Sequence, residues 1–268
     1  MTATTTRDAG APVRAATPPG FVRLTLLHAR FHVLETVRIP MAVIGNLLFP
    51  TLAMFFFVVP QQVITSDPLL SVISVGGLAM FSVMSTFLFT FGVGVAEDRA
   101  LPFDPYLRTM PAGAGPRLTG RVLSASLFAL LGLVPLGLVA GIFTAAAPAL
   151  PRLLLGVATL LAAGVPFLML GLFVGYRLSS KAAIAVVQLV LFPLAFAGGL
   201  FMPAEMFPDW LATASTFLPS RAARDLVIGA LSGVEVYAYA LPVLLGWGVL
   251  FTVLAVWAYR RDEGRRFR

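Results

Sequence analysis

The sequence predicts an all-α integral membrane protein with six transmembrane helices. An interfacial amphipathic helix precedes them, and short external re-entrant helices lie between the fifth and sixth spans. Three observations predict this. Hydrophobic residues make up 59% of the 268 and charged residues only 12%, about half the charged share of a soluble domain. The apolar residues gather in six runs long enough to cross a ~30 Å hydrocarbon core at about 1.5 Å per residue. The cations fall almost wholly on one side of those runs. The chain has no cysteine, so disulfides and thiolate metal sites are excluded.

In chain order, residues 1–20, MTATTTRDAGAPVRAATPPG, are small, polar and proline-bearing. They are expected to form a disordered tail rather than a cleaved leader. Residues 21–38, FVRLTLLHARFHVLETVR, gather Thr25, His28, His32, Glu35 and Thr36 within one helical arc, with apolar residues over most of the rest. This predicts a helix in the membrane interface whose polar arc meets lipid headgroups or a soluble partner. His28, His32 and Glu35 stand at i, i+4 and i+7, but three side chains of one straight helix rarely converge on an ion, and no HExxH exists. No metal site is expected.

The six spans are placed at 40–59, 69–95, 122–146, 153–175, 182–202 and 237–259, and none contains Asp, Glu, Lys, Arg or His. The second is overlong and should tilt or project beyond the bilayer. With both termini cytoplasmic, the inner segments hold 16 of the 19 Lys and Arg residues. That asymmetry sets the orientation and requires an even number of spans. The basic C-terminus, 261–268, is therefore internal. The same clustering between apolar runs points the net charge of +7 at anionic lipid and topology rather than at nucleic acid.

Two connections carry polar chemistry. Between the second and third spans, residues 96–121 include Glu97, Asp98, Arg99, Asp104, Tyr106 and Arg108 among prolines 102, 105 and 111. PFDPYLRTMP predicts a short helical turn capped by Asp104, and AGAGPRLTGR a flexible basic stretch. A rigid, mixed-charge knob suits a soluble partner, with a plain connecting loop as the alternative. Between the fifth and sixth spans, residues 203–236 predict two short helices, about 208–216 and 220–231, with Asp209 and Ser220 as N-caps.

Several chemistries are missing. The only lysine, Lys181, lies in RLSSKAA, so no GxxxxGK[ST] phosphate loop exists. No ionisable group lies at membrane depth to carry protons or sense voltage. Both histidines sit on one peripheral helix, which leaves no convergent catalytic constellation. The spans instead offer aromatic and weakly polar side chains, among them Asn46, Ser85, Phe87 and Gln188. These are candidates to line a path for an amphipathic cargo, with ordinary helix packing as the alternative. A passive channel is disfavoured by the lack of any charged ring or filter-like backbone run.

The whole pattern after residue 20 resembles the membrane-spanning permease of type-2 ATP-binding-cassette (ABC) exporters. The resemblance rests on the interfacial helix, on VAEDRALPFDPYLRTMPAGAGPRLTGR after the second span, and on GGLFMPAEMFPDWLATASTFLPSRAARDLVIGAL leading to the sixth. It implies that 102–111 is a coupling helix docking on a separate ATPase subunit, with Glu97 and Arg99 as its charged start and 176–181 as a smaller contact. It implies no cofactor on this chain, ATP and Mg being held by the partner. It also implies a permease dimer, most simply a homodimer, with a path between first, second and fifth spans. The external segment, including Phe201, Met202 and Pro203, would close the outer end.

The expected function is export of a drug, antibiotic, lipid or glycolipid across a bacterial cytoplasmic membrane. A non-transporting anchor or sensor that recruits a cytoplasmic partner is the alternative. Coupling through the charged start predicts that Glu97→Ala or Arg99→Ala uncouples ATP hydrolysis from export while assembly survives.

Overall fold

The computed structural model describes residues 20–38, 48–102, 114–203 and 206–266. Among these the regular elements are all helical. They are α1 (Phe21–Val37), α2 (Leu48–Val58), α3 (Gln62–Ser66), α4 (Pro68–Ala100), α5 (Ala114–Phe143), α6 (Leu150–Arg177), α7 (Ser180–Ala197), α8 (Asp209–Ser215), α9 (Pro219–Ser232) and α10 (Ala240–Arg266). Five of them, α4, α5, α6, α7 and α10, are long and apolar enough to cross a membrane. Of the first predicted span, residues 40–47 with Asn46 lie outside the described residues. Its remainder, α2, is apolar but short. The tail, residues 1–19, and the knob residues Asp104, Tyr106 and Arg108 also lie outside them.

The centre of the bundle is α4. Asp67 starts it by accepting the Leu70 N–H at 2.8 Å, and Pro68 follows at a position where its missing N–H costs nothing. At 33 residues the helix is about 50 Å long, well beyond a ~30 Å core. It widens into a π-type turn at Phe89–Val93, resumes, and stops at Leu101, which is extended ahead of Pro102. The connection after the second span is therefore shorter than predicted. Residues 96–100 are helical, and so are 114–121, expected to be flexible, because Pro116 falls in the first turn of α5 where proline is tolerated.

Helix α6 packs on α4 through glycine. A Cβ on Gly175 would stand 2.5 Å from the Phe91 carbonyl oxygen, and one on Gly164 would stand 2.7 Å from the Phe87 ring. Lipid supplies no hydrophobic drive between helices, so such close approach is the main source of cohesion. Helix α9 is seated in the same way. Ile228 lies against Gly76 of α4, Leu231 against Gly156 of α6, and Ser220 against Gly198. The left-handed Gly233, at φ +79°, ends it.

The N-cap predictions for the two short helices do not hold. Pro208 and Leu218 occupy the caps, and Asp209 and Ser220 fall inside the first turns. Pro219 takes the first helical position, which moves Ser220 one residue inward, where its hydroxyl is buried against the glycine.

The orientation of α1 also differs from expectation. Its polar arc is turned onto α5 instead of toward headgroups or a partner: Thr25 is buried, while Phe21, Val22, Leu26 and Phe31 are exposed. The reason is a backbone-level crossing at Gly120, where a Cβ would meet the His28 Cβ at 2.7 Å and the Thr25 carbonyl at 2.8 Å. Gly120→Val is expected to push α1 off α5 at a cost of about 1–3 kcal/mol. Amide exchange across 21–37 should accelerate while exchange in α4 and α6 is unchanged; unaltered exchange in α1 would refute the crossing.

Candidate coupling site and pathway

At the end of α4, local sequence and tertiary packing separate three neighbouring charges. Glu97 faces outward and is exposed. Asp98, half-buried, pairs with Arg121 of α5 at 2.7 Å. Arg99 turns inward. Its Nη1 donates to the Gly175 carbonyl at 2.6 Å and to the Leu178 carbonyl at 3.4 Å, and its Nη2 pairs with Asp262 of α10. Gly175 lies in the last turn of α6 and Leu178 is the residue just after it, where the chain has no further N–H to offer and the helix dipole is negative. The guanidinium also lies 5.9 Å from the Tyr176 ring centre, and Tyr176 meets Tyr259 edge-on. Ser180, at the start of α7, donates to the Ala96 carbonyl at 3.2 Å. One short segment thus ties together the ends of α4, α6, α7 and α10.

Helix α1 joins this cluster from the other side. His32 lies 3.5 Å from Glu35. Its pKa is pushed down to about 4, first by burial and then by Arg121, with smaller downward effects from His28 and Arg117 and an opposing one from Asp98. The folded state therefore holds the ring neutral.

At the opposite end, Phe201 sits in a ring cluster. Its centroid is 4.7 Å from that of Phe81, 5.1 Å from Phe196 and 6.4 Å from Phe49, which joins α2, α4 and the end of α7. Met202 is exposed and Pro203 half-buried. Beside them, Arg221 and Arg224 converge on Asp225 at 2.5 and 2.7 Å. Tyr237 donates to the Thr216 carbonyl at 3.1 Å, and Trp247 of α10 donates to the Phe217 carbonyl at 2.9 Å. Burial first, and Asp225 second, push the Tyr237 pKa up to about 12, so its hydroxyl stays a donor.

The candidate path residues separate. Gln188, midway along α7, is exposed on the outside of the bundle. Ser85 and Phe87 are buried within the chain: Ser85 bonds back to the Ser82 carbonyl at 3.0 Å, and Phe87 packs edge-on against Phe91. Sequence reasoning missed Asp262, although it is an acid directly after an apolar run in the basic string RRDEGRR. It also missed Arg121 and Phe196 as partners.

The sequence profile of the ABC-2 type transporter family matches residues 24–232, which is most of the chain and takes in α2 to α9. The chain belongs to the ABC-2 type transporter family. It is also 25% identical over 190 residues to the Bacillus subtilis (strain 168) protein named "Putative transport permease YvfS", covering 69% of this chain and 76% of that one. ABC-2 permeases are membrane permease subunits and not themselves ATPases, and the family implies an ABC ATPase partner. With its five apolar helices, this ABC-2 chain is a multi-pass membrane protein.

Two outcomes follow for the cluster. Asp262→Ala removes the buried carboxylate that the half-buried Arg99 meets and should cost about 1–3 kcal/mol, seen as a lowered Tm, whereas Arg99→Met with Asp262→Leu should recover part of the loss. An unchanged Tm in the single variant would refute the pairing. Because the His32 pKa is lowered from 6.5 to about 4, its contribution is intact above pH 6.5 and is lost as pH falls toward 4. Amide exchange of α1 should accelerate across that window, and His32→Gln should flatten most of the change.

Proposed function

We propose that this chain is the permease subunit of an ATP-driven exporter for an amphipathic or lipid-like cargo, such as a drug, antibiotic, lipid or glycolipid. It pairs as a dimer, most simply with a second copy, and works with two separate ATPase subunits. The family match across residues 24–232 carries this reading. The geometry supplies its parts.

In this reading six spans cross a bacterial cytoplasmic membrane, with α2 completing the first and both termini inside. Helix α1 lies in the inner interface on its exposed apolar face. Segment 102–111 is the coupling helix, and Glu97 is the carboxylate it leaves facing the ATPase. ATP binding in the partner closes the ATPase pair and moves the end of α4. Arg99, held by α6 and α10, passes that displacement to both helices at once, which exposes the path alternately to each side. The path runs past Gln188 and, from its position in the chain, Asn46. Ser85 and Phe87 stand behind its wall and set the packing of α4 on α6. The external helices α8 and α9 are re-entrant, and the rings around Phe201, with Met202 and Pro203, close the outer end. ATP and Mg remain with the partner.

Arg99 and Glu97 consequently have different roles. Arg99→Ala is expected to weaken the fold as well as coupling, whereas Glu97 acts at the surface.

The test is isolation of the chain from its native membrane in mild detergent, with identification of what accompanies it. An ABC-type ATPase at one per permease is expected. Glu97→Arg should reduce its recovery about tenfold through like-charge repulsion or loss of pairing, and Glu235→Arg at the opposite end should not. A permease that reproducibly comes out alone, and that added ATPase from the same cells fails to bind, would replace this reading with the membrane-anchor one.

A further inference from the structure

Helices α6 and α10 end side by side next to the Arg99–Asp262 pair, where Tyr176 packs against Ala258 and Tyr259. Arg177, the last residue of α6, holds its guanidinium 4.8 Å from the ring centre of Trp257 on α10. Arg261, one turn further along α10, lies 5.6 Å from the same ring. Two cations from two helices therefore share one indole. The ring attracts each of them, while their like charges repel one another. All three side chains are exposed. Asp262, adjacent to Arg261, is taken by Arg99. Among the described residues no carboxylate pairs with Arg177 or Arg261.

The surface beside the pair selects the kind of anion that suits it. The apolar stretch of α10 runs to Asp262, so Trp257 stands five residues, about 7.5 Å, inside its charged end. That is the boundary position tryptophan favours in a membrane protein. From Trp257 toward the middle of the helix, Val256, Val253 and Val249 follow at the spacing of one helix face, and all are exposed. A pair of arginines at the end of two apolar helices, with an exposed apolar stripe leading away from it, matches a molecule that is acidic at one end and oily at the other. An acidic protein segment would answer the charge and leave the stripe unused.

We propose that Arg177, Trp257 and Arg261 form a binding site for one anionic phospholipid. The two guanidiniums donate to its phosphate, a geometry arginine favours, and an acyl chain lies along the valine stripe. The lipid is a fixed component rather than cargo, and it links the ends of α6 and α10.

The full-length chain is to be purified in mild detergent and examined by native mass spectrometry with equal amounts of dioleoyl phosphatidylglycerol and dioleoyl phosphatidylcholine. These share acyl chains and a phosphate, and only the second carries a choline cation that cancels the charge. The wild type is expected to retain the first about twentyfold more than the second. Arg177→Gln and Arg261→Gln should each cut that preference about fivefold, and together abolish it. Trp257→Leu, which changes no charge, should cut it about threefold. Arg30→Gln removes an equal charge from an exposed position on α1 and should change nothing. No preference in the wild type, no loss in Trp257→Leu, or a loss in Arg30→Gln as large as in Arg177→Gln would each overturn the proposal. A double arginine variant that keeps the preference but no longer recovers an ATPase would overturn it too, and would assign the pair to a protein partner.

Discussion

The rest of the molecule depends on the contact between α4 and α6. Gly175 admits the backbone of the π-type turn at Phe89–Val93 so closely that any side chain there would collide with main-chain atoms, and Gly171 packs almost as tightly against the same turn. In water such a contact would be one of many. In lipid, where apolar side chains gain little by leaving the solvent, packing density and buried polar pairs provide the cohesion. Once α4 and α6 are fixed, α9 and α10 find their surfaces on α6, and α5 and α7 on α4.

Polar groups are used sparingly around this core, and those that join separate helices gather near its two ends. Arg99 satisfies the last carbonyls of α6 and meets Asp262; Asp98 holds Arg121; Trp247 and Tyr237 staple the turn between α8 and α9. Leaving any of these groups buried and unmatched would cost more than the contact itself contributes. A displacement at the end of α4 therefore cannot stay local, because the guanidinium that moves with it is shared by helices from three parts of the chain.

Much of this was legible in the sequence. Five helices overlap five of the six predicted runs, with ends that differ by up to eight residues, because a long apolar stretch bounded by charge has few alternatives in lipid. The second run, placed at 69–95, begins one residue from the start of α4, though its Asp67 cap was not read from the sequence. The hand of α1 was not legible, since an apolar arc and a polar arc do not say which one meets a neighbour; Gly120 decided it. Nor was the partner of Arg99, 163 residues away. Glu97 and Arg99 look equivalent in a string of charges, and only the position of the end of α6 turns one inward and leaves the other at the surface. For the path residues, one chain shows which are enclosed, Ser85 and Phe87, and which is open, Gln188.

The Arg99–Asp262 pair bears on how the protein is made. A chain synthesised from its N-terminus produces α4, α6 and α7 first, so the seat of α9 is complete before that helix emerges. Arg99 emerges early as well, but Asp262 follows 163 residues later, near the end of α10. Until then the ends of α4 and α10 are not joined. The pair therefore forms only after α10 has emerged, and a chain cut before residue 262 lacks the tie between α4 and α10 at the surface where an ATPase is proposed to dock.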